Sequence, residues 1–144
     1  MKSQNYGNHV RMVPAFHFVL VPLGLITLAA AIVHLWLAAR SLESMFLSLL
    51  VVSLSLVAVM TMFFARRFAC KVQDRAIRAE ESLRHYVLSG RRLDPRLTTG
   101  QIIALRFASD EEFLSLCDKA AAEGTTPDRI KASIRAWRAD HERA

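Results

Sequence analysis

Two apolar stretches lie close together in the first half of the chain: VPAFHFVLVPLGLITLAAAIVHLWLAA at residues 13–39 and MFLSLLVVSLSLVAVMTMFFA at residues 45–65. Neither contains Asp, Glu, Lys or Arg, and each reaches the roughly 20 residues that a helix needs to cross a bilayer. Only residues 40–44 separate them. The sequence therefore predicts an all-α membrane protein whose two transmembrane helices form an antiparallel hairpin with a short external loop.

Charged residues are concentrated after the two stretches. The chain has 19 Lys and Arg, 13 Asp and Glu, a formal net charge of +6 and 53% hydrophobic residues. Only Lys2 and Arg11, in the polar N-terminus at residues 1–12, and Arg40 in the loop are basic before residue 66. A soluble domain would intersperse charged and apolar residues, so this separation favours a membrane anchor followed by a polar tail.

A basic run follows the second stretch, and it consists of Arg66, Arg67, Lys71, Arg75 and Arg78. By the positive-inside rule, this run predicts that both termini face the cytoplasm and that the loop lies on the outer side, which in a bacterial inner membrane is the periplasm. We expect the same side chains to contact anionic lipid, at about 1 kcal/mol each. Nucleic acid is not an expected partner, because headgroups already attract these charges.

A cleaved signal peptide is the competing interpretation of the first stretch. Lys2 and Arg11 could form its basic region, and residues 29–31 or 37–39 could supply a small-residue cleavage site. The apolar region of a signal peptide rarely exceeds about 15 residues. The first stretch is far longer and a second span follows at once, so we interpret it as an anchor.

Small and polar residues recur in both stretches at intervals of three and four. This spacing lets helix backbones approach each other in lipid, where no hydrophobic force drives association. The predicted packing residues are Gly24, Thr27, Ala31, Ser48, Ser55 and Ala58. We expect the two stripes to face each other within one chain, while contact with a second copy or with a larger membrane complex stays an alternative.

Two histidines lie within the first stretch, His17 and His34. Ionisable groups within a span are candidate functional groups, and histidine titrates near neutral pH. They are roughly 25 Å apart along a helix, so one copy cannot use both to share a proton or a metal ion. Bonding of each to headgroups, water or a neighbouring hydroxyl is the alternative. Pro22 should also bend this helix near Phe18.

The second helix is predicted to continue as a juxtamembrane amphipathic helix at residues 66–90, with helical character from residue 64 to about 88. Its apolar side consists of Phe68, Val72, Ala76, Ala79, Leu83 and Val87. This side could be a coiled-coil seam to another copy, a docking face for the tail or a surface against the membrane. Ion pairs from Glu80 to Arg84 and from Asp74 to Arg78 are expected on the solvated side.

Residues 91–144 predict a small module of three short helices. Thr98 with Gln101 and Ser109 with Glu112 have the spacing of capping boxes, and Thr126 precedes a proline at the first position of the third helix. The apolar edge of that helix is Ile130, Ile134 and Trp137. A module this small folds alone with difficulty, so we expect it to pack against the juxtamembrane helix, another copy, the membrane surface or a partner, and this edge is the predicted docking site for a partner.

Motifs of enzymes and cofactor sites are missing from the sequence. It contains no CxxC, HExxH, GxSxG or phosphate-binding glycine loop. His85 and His141 stand alone in polar contexts that favour exposure, and Cys70 and Cys117 are expected to be free thiols. We predict no catalytic residues, no metal, no cofactor and no enzymatic activity; a small-molecule ligand stays unknown.

Several segments carry a resemblance to a known family. They are QNY at 4–6, NH at 8–9, Arg11, Pro14, HF at 17–18, KVQDR at 71–75, LRFASDEE at 105–112 and IRAWR at 134–138. Over essentially the whole chain, the sequence resembles an uncharacterised family of small bacterial two-span membrane proteins, domain of unknown function 6526. The resemblance implies a bacterial origin and the hairpin-plus-tail layout, but no activity. It also implies that residues 5–11 form a defined polar segment, bonded to headgroups or to the helix at Gln73 and Asp74.

The sequence therefore predicts a membrane-anchored scaffold or accessory subunit that acts by protein association, as a homo-oligomer or within a larger membrane complex. The alternative is a small oligomeric channel or transporter. Its polar path would be lined by His17, Thr27, His34, Ser48 and Ser55.

Overall fold

A computed structural model describes residues 4–8, 12–38 and 42–140 of the chain. These residues form five α-helices and no strand, apart from an isolated bridge between Ala108 and Trp137. The helices are α1 (Val21–Ala38), α2 (Leu42–Ser89), α3 (Thr99–Leu105), α4 (Asp110–Glu123) and α5 (Pro127–Ser133). The predicted all-α class is confirmed.

The chain divides into two compact units. The apolar unit comprises Met12–Ala69, and the polar unit comprises Met1–Arg11 together with Cys70–Ala144. Of the predicted external loop, residues 40 and 41 lie outside the described residues, and residues 42–44 already belong to α2. His9, Arg11 and His141 also lie outside the described residues, so the predictions made for them stay predictions.

In the apolar unit, a π-helical turn at Ala15–Leu20 leads into α1. Its wider winding is seen at Val21, whose N–H donates to the carbonyl of Phe16, five residues earlier. Pro22 follows directly and has no N–H to donate to Phe18, which removes one α-helical hydrogen bond. The departure from α-helical geometry therefore falls where the sequence predicts a bend.

Two helical segments are long and apolar enough to cross a membrane, Ala15–Ala38 and Ser44–Ser89. The most apolar 18 residues of each segment are largely uncovered by the rest of the chain: 6% of them are buried in the first segment and 11% in the second. A core helix of a soluble protein would be largely covered, so this exposure is consistent with a membrane location.

The helix predicted for residues 64 to about 88 is confirmed, because α2 continues without interruption to Ser89. No Gly or Pro interrupts it. Gly90 then adopts a left-handed conformation with φ of 70° and donates its N–H to the carbonyl of Tyr86 at 2.8 Å. Glycine takes this conformation without the steric cost that other residues have, so Gly90 ends the helix.

The polar unit has its own hydrophobic core between α3, α4 and α5. Its buried residues are Leu97, Ile102, Ala104, Leu105, Phe107, Ala108, Phe113, Cys117, Ala120, Ile130 and Ile134. Two helix starts agree with prediction: Thr98 and Gln101 form a complete capping box, and the Thr126 side chain accepts from the N–H of Arg129. Ser109 is the N-cap of α4, but its side chain makes no capping hydrogen bond.

The predicted third helix is too long. Helix α5 ends at Ser133, and Ile134 is already extended, with ψ of 124°. Residues 135–138 instead run beside residues 107–109: Ser109 N–H donates to Ala136 O at 3.0 Å, and Arg138 N–H to Phe107 O at 2.7 Å. These long-range hydrogen bonds replace the helical ones, and local spacing cannot reveal them.

Candidate functional site

In the apolar unit, a hydrogen-bonded chain joins α1 to α2. The Ser48 hydroxyl donates to the carbonyl of Ser44 at 2.6 Å, so its oxygen is left to accept from His34 Nδ1 at 2.9 Å. Ser48 is fully buried.

The predicted small-residue stripes meet around one cavity in this unit. The cavity has a volume of about 360 Å³, and four predicted packing residues line it: Gly24, Thr27, Ser55 and Ala58. Gly24 and Val59 both line it, and a Cβ built on Gly24 would lie 3.4 Å from Val59 Cγ2, an ordinary van der Waals distance. The Thr27 hydroxyl donates to Leu23 O at 2.8 Å and so does not bond across to α2. Ala31 is buried.

His17 and His34 have different partners. His17 Nδ1 lies 2.9 Å from Val13 O and 3.1 Å from Val13 N, at the start of its own helical segment. Its imidazole also packs edge-on against Phe16. Since neither histidine contacts the other's partner, they form two separate polar sites, as the sequence predicts.

The predicted lipid-binding run is accessible. Arg67, Lys71, Arg75 and Arg78 are exposed, and Arg66 is half-buried with its guanidinium 5.7 Å from the centre of the Phe16 ring. No described residue forms an ion pair with any of them. Within the described part of the chain, these charges therefore have no acidic partner.

In the polar unit, Arg84 is the centre of a polar cluster that the sequence did not predict. Its guanidinium pairs with Glu81 at 3.0 Å and with Asp110 at 2.6 Å, and donates to Ala108 O at 2.8 Å. It also lies 4.2 Å above the Phe113 ring. The pairing predicted with Glu80 is wrong, because Glu81 lies on the covered side of the helix and Asp110 is brought there by α4.

His85 and Cys117 are buried close to this cluster. His85, expected at the surface, is 8% exposed; its Nδ1 lies 3.1 Å from Arg91 O and its ring packs edge-on against Phe113. Burial raises the pKa of the Cys117 thiol to about 12, and the acids Asp118 and Glu81 add to the shift. A thiol in this state is a packing residue and a poor nucleophile.

The amino-terminal segment is hydrogen-bonded to the carboxy-terminal one. Gln4 Nε2 donates to Asp140 O at 3.1 Å, and Asp140 N–H donates to Gln4 Oε1 at 2.8 Å. The Asp140 carboxylate in turn pairs with buried Arg106 Nε at 2.8 Å. Within the described residues, Gln4 thus folds back on Asp140, and no hydrogen bond joins this segment to Gln73 or Asp74.

The apolar edge that the sequence predicts to dock on a partner packs inside the polar unit. Ile130 and Ile134 are buried in the core, and the Trp137 ring packs against Phe107 with centroids 5.1 Å apart. Glu112 holds this segment in place, since its carboxylate accepts from the N–H groups of Arg135 at 3.2 Å and Ala136 at 3.0 Å. Ile130 and Ile134 are therefore not available to a partner in this structure.

A different apolar surface is exposed on the part of α2 that belongs to the polar unit. Val72, Leu83 and Val87 are 67%, 63% and 74% exposed, and Tyr86 is exposed beside them. On the opposite side of the same helix, Ile77, Glu81 and His85 are buried. We call the first side the open face and the second the covered face.

No cluster of three or more His, Cys, Asp or Glu suited to a metal ion occurs among the described residues. Three features of the described residues could serve function: the polar contact between α1 and α2, the exposed basic run and the open face of α2.

Comparison with known proteins returns one match. The family model described as "Family of unknown function (DUF6526)" matches residues 1–144. No curated protein and no solved structure matches the chain.

Proposed function

The chain belongs to the family DUF6526, whose function is unknown, and we propose that it is a membrane-anchored helical scaffold or accessory subunit without catalytic activity or cofactor. It acts by binding other proteins within the membrane and at its cytoplasmic surface. The open face of α2 carries this proposal. A helix that exposes Val72, Leu83 and Val87 while its other side is covered is suited to a protein partner.

The proposal places Ala15–Ala38 and part of α2 across the bilayer as an antiparallel hairpin. The first segment has 24 residues, roughly 36 Å of helix against a hydrocarbon core of about 30 Å. The hydrogen bond from His34 to Ser48 and the position of Gly24 opposite Val59 support this pairing. Helix α2 is long enough to continue past the bilayer as the helix that carries the open face.

Both ends of the chain then lie on one side of the membrane. The hydrogen bonds between Gln4 and Asp140 support this, because an even number of crossings is needed to bring the two segments together. The exposed charges at Arg67 and Lys71 support a cytoplasmic side and contact with anionic lipid. We propose the bacterial inner membrane as the location.

The decisive experiment is extraction of the protein from its native membrane in a mild detergent, followed by mass determination and identification of bound proteins. We expect either a homo-oligomer or a stoichiometric complex with another membrane protein. A protein that runs as a strict monomer with nothing bound would overturn the proposal.

A channel or transporter is the second candidate, and the polar chain of His34, Ser48 and Ser44 favours it. Reconstituted liposomes should then conduct an ion or small solute. Flux lost when His17 and His34 are both changed to leucine would support this candidate, whereas the scaffold has no flux to lose.

A further inference from the structure

We propose that the α2 segment at residues 70–89 pairs in parallel with the same segment of a second copy, forming a short two-stranded coiled coil. This inference rests on the proposed function and deepens it by naming the partner.

The open face has the spacing of a coiled-coil seam. Val72, Ala76, Ala79, Leu83 and Tyr86 follow one another at intervals of four, three, four and three, and all five are exposed. This is the repeat of 3.5 residues that keeps one seam facing a partner helix. In heptad terms, Ala76 and Leu83 take position a, and Val72, Ala79 and Tyr86 take position d. The two alanines let the helix backbones approach closely at the centre.

The described residues of the chain leave this seam exposed. The core of the polar unit is anchored on the covered face, where Arg84 bonds Asp110 and the carbonyl of Ala108, and where Ile77 and His85 are buried. Heptad positions b, c and f include these residues and lie opposite a and d. The small module and the seam thus use different sides of one helix.

Charges beside the seam identify the partner as a second copy. Arg75 occupies position g and Glu80 position e, both are exposed, and neither forms an ion pair among the described residues. In a parallel pair, position g of one helix lies beside position e of the next heptad on the other, five residues further along. Arg75 of each copy therefore meets Glu80 of the other, and two-fold symmetry makes this pair twice.

The membrane supplies the parallel orientation. Copies of one membrane protein are inserted with the same topology, so their equivalent helices run in the same direction. An anionic membrane surface, in contrast, would repel Glu80 at the edge of the seam and leave it without a partner.

Disulfide cross-linking in native membranes tests the seam. The native thiol at Cys70 is removed as Cys70→Ser, while Cys117 is kept because it is buried. Ala79→Cys, at position d, should give a cross-linked dimer on mild oxidation. Arg78→Cys, exposed one residue earlier and off the seam, is the matched control and should stay monomeric. If Arg78→Cys gives a cross-linked dimer and Ala79→Cys does not, the proposal is overturned.

Charge reversal tests the identity of the partner without depending on cross-linking. Arg75→Glu and Glu80→Arg should each weaken self-association roughly tenfold, because each puts like charges together at two symmetric positions. The double variant, Arg75→Glu with Glu80→Arg, should restore it. Single variants that associate like the wild type, or a double variant that stays weak, would overturn the proposal.

The outcomes also separate this inference from the proposed function. A stoichiometric complex with a different protein, with no self cross-link at Ala79→Cys, would overturn the coiled coil and leave the scaffold proposal standing. A monomer with nothing bound would end both.

Discussion

Arg84 and Asp110, 26 residues apart in the chain, form an ion pair of 2.6 Å that joins helix α2 to the first turn of α4. The guanidinium is largely buried: its side chain is 10% exposed, whereas that of Asp110 is 62% exposed. Glu81 is buried on the other side of Arg84. One cation thus neutralises a buried carboxylate and fixes α4 to α2.

We predict that Arg84→Ala destabilises the polar unit by about 3 kcal/mol, because it leaves the Glu81 carboxylate buried without its partner. Thermal or denaturant unfolding of the detergent-solubilised protein measures this change. Arg96→Ala is the control, since the pair of Arg96 with Asp94 is solvent-exposed and its loss should change stability little. Equal effects of the two variants would contradict the central position of Arg84.

A second prediction concerns the contact of α1 with α2. Ser48→Ala removes the acceptor of His34 Nδ1, and we expect it to weaken helix association by about 0.6–1.5 kcal/mol, as polar contacts between membrane helices do. Unfolding in detergent or bicelles measures the effect. Ser53→Ala is the matched control, because the Ser53 hydroxyl donates to Leu50 O of its own helix and makes no other hydrogen bond among the described residues. In a double-mutant cycle, once His34→Leu is present, Ser48→Ala should cost no more than Ser53→Ala, because only the hydrogen bond of Ser48 to Ser44 O in its own helix is left to lose.

A third prediction concerns the segment after α5. Glu112→Ala should release residues 135–138, because the carboxylate of Glu112 accepts from two backbone N–H groups there. We expect faster hydrogen exchange at Arg135 and Ala136 and a stability loss of about 1–2 kcal/mol. Asp118→Ala, an exposed acid on the same helix, should change neither. Unchanged exchange at Arg135 and Ala136 in Glu112→Ala would show that the backbone pairing alone holds the segment.

A fourth prediction concerns the two thiols. At pH 8, a maleimide or disulfide reagent should modify Cys70, which is partly exposed, far faster than Cys117. Burial excludes the reagent from Cys117, and a thiol with its pKa raised to about 12 has on the order of one thiolate in ten thousand at this pH. Mass spectrometry after timed labelling separates the sites. Denaturation should make both react, and similar rates in the native protein would contradict the buried position of Cys117.

The features that sequence reasoning predicted well are those set by neighbours in the chain. Thr98 with Gln101 and Thr126 with Pro127 begin helices because a side chain reaches an N–H only three residues away. The long apolar stretches give helices for the same local reason, since backbone hydrogen bonds within a helix join residues four apart.

The features that it missed depend on residues distant in the chain. Residues 135–138 have an acceptable helical pattern, but the backbone of Phe107 and Ser109 and the carboxylate of Glu112 offer them better hydrogen bonds. His85 has a polar sequence context, yet the core around Phe113 buries it. Spacing along one helix cannot indicate which of its sides another segment will cover.

The sequence by itself determined an all-helical chain with two apolar helices of membrane length and a separate polar tail, because composition and local hydrogen bonding decide these features. Only the tertiary structure decided which partners the polar side chains take. It brought Asp110 to Arg84 and Asp140 to Gln4, and it buried Ile130 and Ile134 while leaving Val72 and Leu83 exposed. Such choices follow from long-range packing, in which a residue's partner is set by the path of the whole chain and not by its neighbours.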